Sequence, residues 1–325
     1  MKQALIFFYV MALSTAFAAE QSQQANTNVN VTVSDANLGV QKKYVDIGDA
    51  YFYYEIAGSG TPVILIHAHS VNCRMWDEQF FELAKHYQVI RYDLRGYGKT
   101  DKPVPGENFS HAEDLHRLMW FLGIKKAHLV GLSLGAFVAV DFMTLYPDQT
   151  LSIAVAGGGI RESAIPEDAN ASLRKKVIAL EREKKLAEIE TVKKEGVDVF
   201  KKRWFDLIMQ GSGTHKDEIK DKLWQMINEW SAWQALNVEP TWQLDPQVPV
   251  QIRQKQPQTP VLVIIGQDDW PGSLNSSEYL VRIAPKSREV YLKDAGHFSN
   301  MEVPAEFNKA LMDFWTSIET GSQTK

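Results

Sequence analysis

The 325-residue chain is 45% hydrophobic and 23% charged, the composition of a folded globular protein long enough for one large domain or two smaller ones. Its net charge of −5 argues against nucleic acid or an anionic membrane surface as partner. Its single cysteine, Cys73, excludes an intrachain disulfide and reads as incidental.

Residues 1–19 read as an export signal. Lys2 supplies a positive start, an apolar run from Ala4 to Phe17 follows, and Ala16-Phe17-Ala18 offers a small-residue cleavage pattern. The run is shorter than the ~20 residues that span a bilayer. The expectation is therefore a cleaved, exported mature protein, periplasmic or secreted, with no membrane span. Residues 20–42, rich in Gln, Asn, Ser and Thr, read as a flexible tether. Tyr44–Ile47 and Tyr51–Ile56, parted by Gly48-Asp49, predict a hairpin.

Short apolar runs then alternate with helical patterns. Strands are predicted at Pro62–His67, Gln88–Tyr92, Ala127–Val130 and Leu151–Ala156. Helices are predicted at Met75–His86, at Ser110–Leu122 with Ser110 and Glu113 spaced as a capping box, and at Gly135–Tyr146, stopped by Pro147. This rhythm implies a parallel sheet covered on both faces. It breaks over residues 161–248, where the pattern is helical only and includes a long charged helix from Ser172 to Lys194 with Glu181 and Lys185 at i,i+4. Strands resume at Val261–Ile265 and Glu289–Leu292, and a last helix runs from Pro304 to Ile318. The chain thus divides into an α/β core, residues 43–160 and 249–320, and a helical cap, residues 161–248.

Gly131-Leu132-Ser133-Leu134-Gly135 is the strongest chemical signal: a G-x-S-x-G turn between a strand and a helix, which lifts the serine hydroxyl above the sheet edge. A serine needs a base at neutral pH. In this architecture the acid and then the histidine follow in chain order. His297, after the last strand, is the candidate base. Asp269 is the candidate acid, with Asp268 the runner-up and Glu162 a distant third. The N–H groups of Leu134 and His69 are the candidate oxyanion donors. His69 can also meet substrate through its ring, whereas His67 reads as structural. Trp204, Trp224, Trp230 and Trp233 are candidate walls of an apolar pocket beneath the cap, and Trp76 reads as packing.

Taken together, these segments resemble the α/β-hydrolase superfamily, specifically its cap-bearing esterases and lactonases. His67-Ala68 resembles that family's His-Gly loop, and Asp93-Leu94-Arg95-Gly96-Tyr97-Gly98 its D-x-R-G-x-G segment. Ala295-Gly296-His297 with Met301-Glu302-Val303-Pro304 resembles its histidine region. The resemblance implies a mostly parallel central sheet of about eight strands with a helical cap, and a structural role for Arg95. Ala68 and Ala136 stand where the family often has glycine. A serine nucleophile separates the chain from the related epoxide hydrolases and haloalkane dehalogenases, which use a carboxylate.

The expected function is hydrolysis of a small-molecule ester or lactone through an acyl-enzyme, with no cofactor and no metal. The alternatives are carbon–carbon bond hydrolysis, aminopeptidase, perhydrolase or acyltransferase chemistry on the same scaffold, or a non-catalytic binding protein of the same fold.

Overall fold

The computed structural model describes residues 38–160, 170–238 and 248–322. These lie in the compact unit that begins at Val40, apart from two residues before it. The expected export signal, most of the tether, Glu162 and the two ends of the cap segment lie outside the described residues. No described helix is long and apolar enough to cross a membrane.

Eight strands form one sheet: β1 (Gln41–Asp46), β2 (Tyr51–Ala57), β3 (Pro62–Ile66), β4 (Gln88–Tyr92), β5 (Ala127–Leu132), β6 (Thr150–Ala156), β7 (Val261–Gly266) and β8 (Ser287–Leu292). Their order is β1-β2-β4-β3-β5-β6-β7-β8. The first two pairings are antiparallel. All the others are parallel. Val63–Ile66, and β5 and β7 throughout, are buried, as a parallel strand covered on both faces must be. Regular structure starts earlier than expected: Gln41 and Lys42, assigned to the tether, pair with Ile56 and Glu55.

The helices are α1 (Asp77–Leu83), α2 (His111–Phe121), α3 (Leu134–Leu145), α4 (Ala171–Glu195), α5 (Val197–Gln210), α6 (Lys216–Glu229), α7 (Trp233–Leu236), α8 (Val248–Lys255), α9 (Pro271–Ile283), α10 (Ser299–Glu302) and α11 (Pro304–Ser322). Residues 170–238 between β6 and β7 contain helices only.

Local pairings depart from the sequence pattern in three places. The helix expected from Met75 is a 3₁₀ turn, Cys73–Trp76, capped by the Asn72 side chain, followed by a short α1. Ser110 caps α2 by position but makes no side-chain capping bond; Glu113 instead accepts a hydrogen bond from the Tyr146 hydroxyl at 2.6 Å. Glu181 pairs with Lys184 and Lys185 with Glu188, each at i,i+3, in place of the expected Glu181–Lys185 pair. Helix α9, which the apolar pattern did not signal, begins with Pro271 in its first turn, a position proline tolerates because its missing N–H would be unpaired there anyway.

Two buried arginines, Arg91 in β4 and Arg95 in the loop after it, brace the core. Arg91 is paired with Glu55 and Asp77, and Arg95 grips Asp114 through two bonds of 2.9 and 2.6 Å. Arg95 is thus structural, as the sequence resemblance implies.

Inside the sheet, His128 bonds the Ser152 hydroxyl at 2.7 Å, and burial pushes its imidazole from the ordinary 6.5 down to about 4. The folded state holds His128 neutral where the unfolded chain binds a proton. Stability from this group is therefore full above pH 6.5 and is lost progressively as pH falls to about 4. Between pH 7 and pH 5 it accounts for a loss of about 2 kcal/mol. In urea titrations at these two pH values, His128→Gln is expected to lack this part of the acid slope.

Candidate active site

Ser133 sits between β5 and α3 with φ 54° and ψ −113°, a region that side chains avoid. Its peptide N–H is held by the Ala156 carbonyl at 2.8 Å. Two glycines permit the turn. A Cβ on Gly131 would stand 2.1 Å from the Gly135 carbonyl oxygen, and one on Gly135 would stand 2.0 Å from that of Ile66. Helix, turn and neighbouring strand therefore meet backbone to backbone. Holding a serine in this conformation costs about 1–3 kcal/mol.

The candidate base and acid come from the loops after the last two strands. His297 Nδ1 and Asp269 Oδ1 are 2.9 Å apart, with both side chains almost fully buried. Asp269 Oδ1 also accepts the Trp270 N–H at 2.6 Å, so the carboxylate is oriented from its own chain. Asp268, the runner-up, is exposed and is not in the pair. A Cβ on Gly157 would lie 3.0 Å from His297 Cε1, so the glycine after β6 leaves the ring its space. With Nδ1–H donated to Asp269, the other ring nitrogen is free to accept a proton.

The loop after β3 is held in a defined shape. His67 Nε2 accepts the Leu94 N–H at 2.9 Å, so its protonated Nδ1 donates to the Ala68 carbonyl at 2.7 Å. This is the structural role expected of His67, and burial keeps its pKa low, favouring that neutral form. The Ser70 hydroxyl donates to the His69 carbonyl at 2.6 Å and accepts the Trp204 indole N–H at 2.7 Å. The His69 ring bonds the Tyr97 hydroxyl at 2.7 Å and lies edge-on to Trp204 and Trp230. Leu134 opens α3, where a backbone N–H has no partner within the helix.

Ser133, His297 and His69 share one cavity of about 580 Å³. Of the four tryptophans expected to wall it, Trp204 does so. The other three are not among its described lining residues. Trp224 packs on Phe205, and Trp230 is buried behind His69 and Tyr97, its indole N–H bonded to Gln234. Trp233 is buried in the short helix α7. Tryptophan spacing did not reveal which ring faces inward. Trp76 is fully buried against Phe307, as packing. The remaining apolar wall comes from Phe137, Ile160, Ile208, Trp270 and Phe298, with Ser273 and Ser276 as polar points. Trp270 had a legible signal, since it follows the candidate acid and reaches 4.6 Å from the His297 ring. Gly157-Gly158 did too, at the carboxyl end of a parallel strand, where ligands of open α/β sheets bind.

Residues 61–304 match the alpha/beta hydrolase fold family, and the chain belongs to it. It is 35% identical over 123 residues to a fluoroacetate dehalogenase from a Burkholderia species, a match spanning 36% of this chain and only 40% of the dehalogenase. It is 25% identical over 282 residues to the 2-hydroxy-6-oxo-6-(2'-aminophenyl)hexa-2,4-dienoic acid hydrolase of Metapseudomonas resinovorans, covering 84% of this chain and 90% of that protein. Among solved structures, a thermophilic esterase from Thermogutta terrifontis superposes with a TM-score of 0.66 at 26% identity, covering 86% of this chain and 99% of the esterase.

The strained turn has a measurable consequence. Ser133→Gly relieves the backbone and Ser133→Ala does not. The glycine variant is expected to be more stable than the alanine variant by about 1 kcal/mol in denaturant titrations.

Proposed function

We propose that the protein is a serine hydrolase that cleaves a small-molecule carboxylic ester or lactone through an acyl-enzyme. The observation that carries this reading is the buried His297–Asp269 pair at 2.9 Å, opening on the same cavity as a serine held on a strained strand-to-helix turn. Ser133 Oγ attacks the carbonyl carbon, and His297 Nε2 takes its proton. Asp269 keeps the imidazole in the required tautomer and stabilises its cationic form. The backbone N–H groups of Leu134 and His69 hold the oxyanion as the tetrahedral centre forms. When that centre collapses, the proton on His297 goes to the departing alkoxide. Water then enters, gives a proton to His297 and attacks the acyl carbon. The returning proton regenerates Ser133 and releases the acid.

The mostly apolar wall favours an aliphatic or aromatic acyl group, and the likeness to the Thermogutta esterase supports ester chemistry. Carbon–carbon bond hydrolysis is the second reading, favoured by the similarity to the Metapseudomonas hydrolase over most of the chain. Dehalogenation is disfavoured despite the dehalogenase match, because Ser133 supplies no carboxylate to displace a halide.

A fluorophosphonate probe should label the native protein and leave Ser133→Ala unlabelled. Failure to label folded native protein overturns the serine-hydrolase reading. A panel of esters, lactones and vinylogous diketones then separates the two chemistries. Asp269→Asn should lower kcat by about 10³–10⁴-fold by disturbing the imidazole tautomer, measured on the best ester of the panel.

A further inference from the structure

The loop that carries the candidate base is laid against the cap as well as the core. His297 N–H donates to the Gly211 carbonyl at 2.8 Å, and Thr214 N–H donates to the Asp294 carbonyl at 3.1 Å. The cap loop Gly211–Thr214, between α5 and α6, therefore runs along Asp294–His297. A side chain cannot intervene. A Cβ on Gly213 would stand 2.7 Å from the Asp294 oxygen and the Gly296 nitrogen, and one on Gly296 would stand 2.3 Å from the Gly211 oxygen.

One carboxylate joins the two loops. Glu302 Oε2 accepts the Gly213 N–H at 2.6 Å and the Gly296 N–H at 3.2 Å. The residue is 4% exposed, and its hydrogen bonds come from backbone amides in place of a cation. Burial pushes its carboxyl pKa up, while these amides pull it down. A buried carboxylate is costly unless it is paired or hydrogen-bonded, and here the two loop amides supply those bonds. Further along, α6 is also tied to the core: Lys222 pairs with Asp77 at 2.8 Å, and Glu229, at the far end of the helix, pairs with Arg74.

We infer that Glu302 is a positioning residue that fastens the cap loop Gly211–Thr214 to the His297 loop, so that the cap sets where the imidazole stands relative to Ser133. The inference rests on the serine-hydrolase reading above. Its consequence is that the α5–α6 corner of the cap is part of the catalytic framework and does not swing away during turnover.

The test compares Glu302→Ala, Glu302→Gln and Gly213→Ala in the full chain. Glu302→Ala should lower kcat on an alkyl ester by about 100-fold, the scale of a displaced catalytic group, with KM within about threefold. Glu302→Gln keeps an acceptor oxygen and should recover to within about fivefold of native. Gly213→Ala leaves the carboxylate in place but forces the loops apart, and should reproduce the alanine loss. On a p-nitrophenyl ester, whose leaving group needs no proton, the losses should be smaller. In parallel, the low-field NMR resonance of the His297 Nδ1 proton should broaden or vanish in Glu302→Ala and persist in Glu302→Gln. Native kcat and a native resonance in Glu302→Ala would sink the proposal, as would a glutamine variant no better than alanine. If the native protein hydrolyses no ester and takes no probe, yet the resonance responds as expected, the fastening stands and the ester reading fails.

Discussion

The site is organised around a contact in which the backbones of β3 and α3 touch with nothing between them. Gly135 lies against the Ile66 carbonyl, Gly131 lies against Gly135, and Ser133 is left in the one conformation that closes the turn. That closure places the hydroxyl at the carboxyl edge of a parallel sheet. Any side chain that meets it must then come from loops at the same edge, after β3, β7 and β8. His69, Asp269 and His297 lie on those loops.

These loops are largely buried, and polar bonds fix their shape. Asp93 accepts the N–H groups of Cys73 and Lys99, each at 2.8 Å, and a Cβ on Gly98 would strike its carboxylate. From the next residue, Leu94, the bonding continues through His67 into the carbonyl of Ala68. The loop after β4 thereby shapes the loop after β3. Arg91 and Arg95 add buried ion pairs at the margins. Breaking such a pair by removing one partner is costly because it strands a charge in the interior. The Arg91 pairs tie β4 to β2 and to the start of α1, and the Arg95 pairs tie the loop after β4 to α2.

The cap completes this framework from outside the sheet. Trp204 reaches from α5 to Ser70 and forms one wall of the cavity. Gly211–Thr214 backs the histidine loop. Both contacts join residues 80 or more positions apart in sequence, and neither produces a periodic pattern. The tryptophans show the difficulty. Trp204 and Trp230 both lie close to His69, but only Trp204 lines the cavity, while Trp230 spends its indole N–H on Gln234 behind it. Hydrophobic spacing marks which residues leave water. It does not mark which of two facing elements they meet.

By itself the sequence determined the alternation of strands and helices, the serine turn, and the chain order of the candidate nucleophile, acid and base. Each of these is written in contiguous residues: an apolar period, a glycine pair at fixed spacing, a histidine after a late strand. Tertiary structure decided the rest. It set Asp269, and not its neighbour Asp268, against His297: Asp269 is buried there and Asp268 is exposed. It dissolved the expected Ser110–Glu113 box: Glu113 meets the Tyr146 hydroxyl instead, a partner that only the packing of α2 against α3 brings near. It also gave Glu302 its place between two loops, since a backbone N–H donor is present at almost every residue and only folding determines which ones a buried carboxylate meets.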